Sequence, residues 1–167
     1  YCSFFFNIYN KLMIKLINLK TSDLNKFLIN EILKLKNSHW NKGLISQKSY
    51  FYKNVYQKDS HMLLYFNKIL CGYVLLRKRK CVYKNRNLSY LHFDTFIIKK
   101  KFRCRKLALV LMNFINSYIK FNKTFSILYC NKDLVKFYKK FDWKLANYSH
   151  FKLEIKKSDE KHIMIYK

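Results

Sequence analysis

A cluster of basic residues stands where an apolar, strand-like run gives way to a helical one, within residues 96–112. Arg103, Arg105 and Lys106 lie close together, and an apolar repeat at helical spacing begins directly after them. The start of a helix offers unpaired backbone N–H groups and the positive end of the helix dipole. The pattern therefore predicts a diphosphate site; the alternative is a charged, solvated turn before an ordinary helix.

The string RCRKLA at residues 103–108 resembles the acetyl-CoA motif of the GNAT superfamily of N-acetyltransferases. That motif is Arg or Gln, two residues, Gly, one residue, then Gly or Ala, between the fourth strand and the third helix. Arg103 and Ala108 match it, whereas Lys106 stands at the usual Gly and either points away or adds an ammonium contact. The resemblance implies that the cofactor's pyrophosphate is bound by Arg103, Cys104, Arg105, Lys106, Leu107 and Ala108.

A second stretch, CNKDLVKFYKKFDW at residues 130–143, resembles the family's other hallmark, a strand end followed by a helix with a Phe-Tyr pair. It is similar to the form found in serotonin N-acetyltransferases, with Asp142 in place of the usual Gly. The resemblance covers residues 59–148 well and the N-terminal helices by element order. It implies that Tyr138, whose unperturbed pKa of about 10 is comparable to a thiol's, protonates the leaving thiolate. It also implies that Asn131 lies beside the pantetheine arm.

The implied reaction, direct attack of an amine on the thioester, also needs a base and a site for the oxyanion. His92 and Asp94 share one face of the predicted fourth strand by its two-residue period. His92 titrates near neutrality and is the preferred base, with Asp94 as partner or alternative. Each also has an ordinary interpretation, as a sheet histidine and as a carboxylate paired with a lysine. The family's oxyanion donors are backbone N–H groups of the same strand, here near Ile97 and Ile98, and Phe96 is expected to join them in binding the cofactor.

These side chains require a sheet flanked by helices, and hydrophobic periodicity supplies the elements. The predicted strands are 13–19, 61–66, 69–77, 88–98, 125–130, 143–148 and 162–166, and the predicted helices are 24–35, 46–56, 107–118 and 132–141. The crossover in the middle implies a parallel pair. We therefore expect an α/β, GNAT-like fold, with a mixed, mostly antiparallel sheet of about six or seven strands and about four helices. Residues 13–167 form the expected single domain, and residues 1–12 are expected to be a dispensable or non-native extension.

The formal charge of +26 is typical of proteins that bind nucleic acid or another polyanion. Only five of the 35 basic residues are Arg, however, while Gly falls to two and Pro to none. Lys-, Asn- and Ile-rich composition is the bias of an AT-rich coding sequence, which favours a solvated basic surface. A nucleic-acid-binding module is the alternative, although no RNP, KH or helix-turn-helix pattern accompanies the charge.

Five widely spaced cysteines without a CxxC pair predict neither a disulfide framework nor a metal site, and they fit a reducing cytoplasm. No apolar run approaches the length of a membrane span. We expect a cytoplasmic acyltransferase, monomeric or homodimeric, whose partners are acetyl-CoA and a primary amine of a small molecule, amino sugar or protein. A catalytically inactive GNAT-like protein is a further alternative, because both hallmarks lack their glycine. The basic surface favours anionic over polycationic acceptors.

Overall fold

The computed structural model describes residues 13–146, 151–153 and 162–167, and the predicted extension 1–12 lies outside them. Within this part of the chain eight strands form one sheet: β1 (Ile14–Lys20), β2 (Ser60–Phe66), β3 (Ile69–Tyr83), β4 (Arg86–Ile98), β5 (Ser126–Cys130), β6 (Lys144–Leu145), β7 (Phe151–Leu153) and β8 (His162–Tyr166). The helices are α1 (Lys26–Trp40), α2 (Leu44–Asn54), α3 (Leu107–Phe121) and α4 (Lys132–Lys139). No helix in the described ranges is long and apolar enough to cross a bilayer.

The strands follow the order β1-β2-β3-β4-β5-β8-β6, and β7 pairs with β3. Only β4 and β5 are parallel among these pairs, and α3 provides the crossover between them. The predicted mixed, mostly antiparallel sheet with one parallel pair and four helices is therefore confirmed. The strand number is corrected to eight within the described residues, because the three-residue β7 is too short to show a period. The predicted strand 143–148 is reduced to β6, and residues 147–150 lie outside the described ranges.

Two tight turns close the hairpins that form the middle of the sheet. Asn67 and Lys68 connect β2 to β3 with φ of 47° and 65°, and Lys84 and Asn85 connect β3 to β4 with φ of 48° and 61°. Two successive residues with positive φ are typical of the type I′ turn, whose twist matches that of the flanking strands. β3 runs to Tyr83, beyond its predicted end at residue 77. The prediction ended too early because the charged residues 78–80 continue the strand without an apolar pattern.

The two faces of the sheet bury separate hydrophobic clusters, divided by the alternation of each strand. In β2, Met62 and Leu64 pack toward α3 and α4, whereas Leu63 between them packs toward α1 and α2. The α3 face of the first cluster consists of Leu107, Leu111, Met112, Ile115 and Ile119, all nearly inaccessible to solvent. This amphipathic helix therefore lies flat on the sheet and fixes where the loop before it emerges.

The upper half of β4 is irregular in a way that shapes the site. Thr95 pairs with Leu75 and Phe93 with Leu76, so Asp94 is the extra residue of a β-bulge. On its other edge β4 pairs with β5 only from Leu91 to Phe93, and the two strands separate beyond that point. Residues 94–98 of β4 and residues 129–130 of β5 therefore lie beyond the last pair, and the space between these two strand ends is called the β4–β5 cleft below.

Candidate active site

Two residues of the loop between β4 and α3 adopt a backbone conformation that is usually found in glycine. Cys104 and Lys106 have φ of 64° and 58°, in the left-handed region. A side chain there costs about 1–2 kcal/mol, because Cβ crowds the following carbonyl. Lys106 is thus the N-terminal boundary residue of α3 in the backbone conformation that a Gly would adopt without strain. The loop keeps a glycine-type path although the glycine is absent.

The start of α3 has the properties of an anion site. No side chain of the described residues caps it, and the carbonyl of Lys106 already accepts the N–H groups of Leu109 and Val110. The side chain of Leu107 is buried and that of Ala108 half-buried, so both residues face the site through their backbone. The side chains of residues 103–106 are exposed around this helix end.

The two arginines of the loop have different environments. Arg103 donates from Nε to the carbonyl of Ile98 at 3.2 Å and from Nη2 to Nδ1 of His39 at 3.2 Å. It therefore connects the loop to the end of β4 and to the last turn of α1. Arg105 lies over the rings of Phe66 and Phe102, with its guanidinium carbon 5.4 and 6.0 Å from their centroids. Its charged end stays exposed beside the start of α3.

The predicted oxyanion and pantetheine segment forms one wall of the cleft. The side chains of Ile97 and Ile98 are buried on opposite faces of the sheet, and Phe96 is half-buried against the α4 side. All three lie beyond the last β4–β5 pair, so β5 does not cover their strand edge. Across the cleft, Asn131 is the N-terminal boundary residue of α4 and its side chain is exposed.

Tyr138 lies on α4 inside an aromatic cluster. Its ring is 6.0 Å from Phe93 and from Trp143, and 5.2 Å from Phe137. The side chain is 6% exposed, and this burial, with Cys130 nearby, raises the pKa of the phenol well above its usual value. Tyr138 therefore keeps its proton throughout the neutral range. It holds that proton close to the strand pair that borders the cleft.

Asp94 is held at the bulge of β4 by two partners. Its Oδ2 accepts from Nη1 of Arg77 at 3.0 Å and from the hydroxyl of Tyr50 at 3.3 Å. Among the described residues no protein group bonds to Oδ1. The carboxylate is thus oriented by β3 and α2 and retains an acceptor for a further hydrogen bond.

His92 lies one alternation below Asp94 on the same face, because it is the register partner of Arg77. It is 5% exposed, and its ring lies 6.4 Å from that of Tyr90 and 5.4 Å from that of Tyr129. The structure therefore places His92 among aromatic rings, where β4 and β5 are still paired, and Asp94 just beyond the last pair of these two strands.

A cavity of about 360 Å³ opens beside Asp94, between the first two helices and β4. It is lined by Lys36, Trp40, Lys42, Ser46, Gln47, Tyr50, Asp94 and Thr95. Burial, with Asp94 nearby, raises the pKa of Tyr50, so its hydroxyl remains a hydrogen-bond donor. Asp94 lines the cavity and is also the first residue of β4 beyond its last pair with β5, so the cavity and the β4–β5 cleft are adjacent at the bulge. This arrangement suits two substrates that react with each other.

Sequence reasoning missed Lys36 and Tyr50 in the lining of this cavity, and it also missed Arg77, which pairs with Asp94. Lys36 had a readable signal, because it continues the buried stripe of α1 one turn after Ile32, at a position where an apolar residue is usual. Tyr50 and Arg77 had none, because their role follows from contacts between α2, β3 and β4 that no local pattern encodes.

No model of a protein family matches this sequence, and no curated protein matches it either. Solved structures do match the fold. ElaA from Escherichia coli superposes with a TM-score of 0.68 at 16% identity, covering 93% of this chain and 100% of its own. An acyl-CoA N-acyltransferase from Pseudomonas aeruginosa gives 0.68 at 12% identity, covering 92% of this chain and 99% of its own.

The PaiA N-acetyltransferase from Thermoplasma acidophilum, solved in complex with coenzyme A, gives a TM-score of 0.59 at 13% identity and covers 93% of this chain and 99% of its own. Two of these three neighbours are named as an N-acyltransferase and an N-acetyltransferase, and the expected GNAT-like fold is confirmed. At such identities the likeness concerns the fold. The closer likeness of residues 130–143 to serotonin N-acetyltransferases stays a prediction.

Proposed function

We propose that this chain, which has the fold of the GNAT N-acetyltransferases, transfers an acetyl group from acetyl-CoA to a primary amine. The observation that carries the proposal is the meeting of a cleft and a cavity at Asp94. The cleft between β4 and β5 leads from an uncapped helix start, and the cavity lies on the other side of the bulge. A thioester and an amine could approach each other there without a covalent enzyme intermediate.

The cofactor would be bound mainly by backbone. The N–H groups at the start of α3, with Arg105 and Lys106 beside them, suit the pyrophosphate. The uncovered edge of β4 at residues 96–98 suits the pantetheine amides and the thioester oxygen, and Asn131 faces them from α4. Coenzyme A bound to the PaiA N-acetyltransferase supports this choice of co-substrate.

In the reaction the amine nitrogen attacks the thioester carbon, and the C–S bond of the resulting intermediate breaks. Tyr138 gives its phenolic proton to the departing sulfur, and the base takes the proton that the amine loses. After the step Tyr138 regains a proton from solvent and the base releases its own to solvent, so that no net proton is consumed within the site. Its raised pKa keeps the phenol protonated throughout the neutral range, but it also makes the phenol a weaker acid than an ordinary tyrosine, so the transfer of its proton to the thiolate is uphill.

The base is proposed to be Asp94, with His92, the residue preferred from the sequence, as the alternative. Asp94 lines the cavity and keeps Oδ1 available, whereas His92 is deeper and packed between aromatic rings. Asp94→Asn should lower kcat/KM by about 100- to 10,000-fold, the usual contribution of a general base. A comparable loss in His92→Gln, with Asp94→Asn nearly active, would assign the base to His92.

The decisive experiment is calorimetry with acetyl-CoA, followed by a free-thiol assay with a panel of amines. Binding in the micromolar range and thiol release that depends on the amine are expected. Arg105→Gln should weaken binding by about tenfold through loss of a charged contact, whereas Lys15→Gln, the same charge change on exposed β1, should not. Absence of binding at low salt in the native chain would refute the proposal.

A nucleic-acid-binding function is the second candidate, favoured by one feature. A cavity of about 360 Å³ at the C-terminal end of α3 includes four lysines and no acidic residue in its lining, namely Lys20, Lys58, Lys78, Ser89, Tyr90, Leu91, Tyr118, Asn122, Lys123 and Thr124. Affinity for single strands with a steep salt slope, in a chain that does not bind acetyl-CoA, would favour this function. Acetyl-CoA binding without turnover would instead favour an inactive GNAT-like protein.

The remaining assignments follow the proposed activity. Cytoplasm is the proposed location, and the thiols of Cys71, Cys104 and Cys130 are compatible with a reducing compartment. A homodimer stays a proposal that size-exclusion chromatography with light scattering would test.

A further inference from the structure

Lys36 is a buried cation in the acceptor cavity. It lies on the core-facing stripe of α1 with Ile32, Leu33 and Leu35, and only 4% of it is exposed. Its Nζ lies 5.0 Å from the centroid of the Tyr50 ring, at the wall of the cavity. No salt bridge to Lys36 is formed within the described residues. An ammonium removed from water without a carboxylate partner destabilises the folded state unless something else compensates it.

The charges around this ammonium do not balance. The groups that act on it are Asp94, Arg77 and Lys42, which are one carboxylate and two further cations. The carboxylate is already engaged, because Arg77 bonds to it at 3.0 Å and Tyr50 at 3.3 Å. Burial lowers the pKa of Lys36, and Asp94 only partly opposes that effect. The lining of the cavity, with Lys36 and Lys42 against Asp94, therefore has an excess of positive charge.

We propose that Lys36, assisted by Lys42 at the rim, binds a carboxylate or phosphate of the acceptor, so that the substrate is a primary amine with an anionic group. The inference rests on the acetyltransferase function proposed above and specifies its substrate class. The amine of such a molecule would lie at Oδ1 of Asp94 and its anion at Nζ of Lys36. The buried amide of Gln47, which lines the same cavity, supplies a further hydrogen-bonding group between the helices.

Two properties of the cavity support this orientation. Arg77 is fixed on β3 and already paired with Asp94, so it is not the main partner for an incoming anion. Lys42 is exposed after the end of α1 and serves the entrance, whereas Lys36 lies inside, one helical turn before Trp40. A neutral amine would leave the charge of Lys36 uncompensated, which a bound anion would offset. Selectivity follows because an anionic group gains a partially desolvated ion pair there.

The test uses three ω-amino acids, 3-aminopropanoate, 4-aminobutyrate and 5-aminopentanoate, and compares each with its own primary amide. It also includes 2-aminoethyl phosphate, which is compared with ethylamine. Thiol release from acetyl-CoA gives kcat/KM for each acceptor, and calorimetry gives its affinity for the protein with and without coenzyme A. We expect at least one acid or the phosphate to exceed its neutral counterpart, or ethylamine for the phosphate, by about tenfold or more. The arms with carboxylate and phosphate then identify which anion the cavity accepts.

Lys36→Met removes the charge at nearly constant volume, and Lys34→Met is the matched control on the exposed side of the same helix. In Lys36→Met the ratio of acid to amide should fall toward one, while Lys34→Met should keep the native ratio. Lys36→Met should also have a higher melting temperature than the native chain, because it no longer buries a charge. That increase would show that the variant folds.

The outcomes separate the two proposals. Acid and amide of equal affinity and equal kcat/KM at every length, or a preference that survives in Lys36→Met, would overturn the anionic acceptor and leave the acetyltransferase intact. Lack of acetyl-CoA binding would refute the acetyltransferase, and the calorimetric comparison without coenzyme A would still decide whether Lys36 binds anions.

Discussion

At the scale of single residues, several non-glycine residues adopt a left-handed backbone conformation, which a Cβ atom disfavours. Lys106 and Cys104 in the loop, and Asp142 after α4, have φ of 58°, 64° and 65°. The resemblance to the GNAT motifs identified positions 106 and 142 as usual glycines. The structure adds the physical reason, because both positions require positive φ. The sequence predicted the position of the loop, because its motif is contiguous. It did not predict the strain, because the strain depends on the φ angles that the folded backbone adopts.

Lys106→Gly should increase the free energy of unfolding by about 1 kcal/mol, since glycine adopts this φ without a Cβ penalty. Chemical denaturation measures the change. Lys101→Gly, in the preceding turn where φ is not positive, is the control and should not stabilise the chain. A decrease in stability for Lys106→Gly would mean that the lysine side chain makes a contribution larger than the strain.

Tyr138→Phe should lower the rate of thiol release by about 100- to 10,000-fold while leaving the Kd for acetyl-CoA within a factor of about two. Phe preserves the packing against Phe93 and Trp143 and removes only the proton donor. Phe137→Leu, next to it, is a control for altered packing alone. An unchanged rate in Tyr138→Phe would show that solvent, and not Tyr138, protonates the departing thiolate.

At the scale of elements, buried polar networks join pieces that the sequence showed only separately. His61 on β2 shares hydrogen bonds with the hydroxyl of Tyr73 on β3, 2.8 Å from Nδ1, and with that of Thr21, 2.9 Å from Nε2. Periodicity predicted β2 and the helix that follows Thr21, because those patterns are local. It could not predict the connection, which depends on strand register and on which side chains are buried together.

The His61 network makes stability depend on pH. Burial, then Lys36 and Lys20, lowers the pKa of His61 to about 3, against about 6.5 in an unfolded chain. The folded state therefore resists protonation, and its stability is lost as pH falls from about 6.5 toward 3. The slope from this residue is about 1.4 kcal/mol per pH unit. Denaturation between pH 7 and 4 should show it, and His61→Gln should remove it while His162→Gln should not.

At the scale of the whole molecule, positive charge exceeds what its own carboxylates can neutralise. The chain has 35 basic and nine acidic residues. Of the carboxylates in the described part, Asp59 and Asp94 are committed to Arg79 and Arg77. The charge could be read from composition, but its distribution could not. Lysines that form no salt bridge within the described residues line several cavities, among them the one beside Asp94 and the one at the far end of α3.

Self-repulsion on this scale should make the folded state sensitive to ionic strength. The free energy of unfolding should increase as NaCl is raised from about 10 to 200 mM, because the Debye length falls from about 30 Å to below 10 Å. Replacing three exposed lysines, Lys15, Lys48 and Lys53, by Gln should reduce that dependence. Stability that falls with salt would show that attractive pairs outweigh the repulsion.

Because β4 and β5 separate, hydrogen exchange at the end of β4 should report whether a ligand occupies the cleft. From residue 94 to residue 98 one edge of the strand is bonded to β3 and the other faces the cleft. Amide protons along this stretch should therefore alternate between slow and fast exchange with deuterated water. A molecule seated in the cleft would slow only the fast set, which would give a residue-by-residue map of binding that needs no turnover and no knowledge of the acceptor.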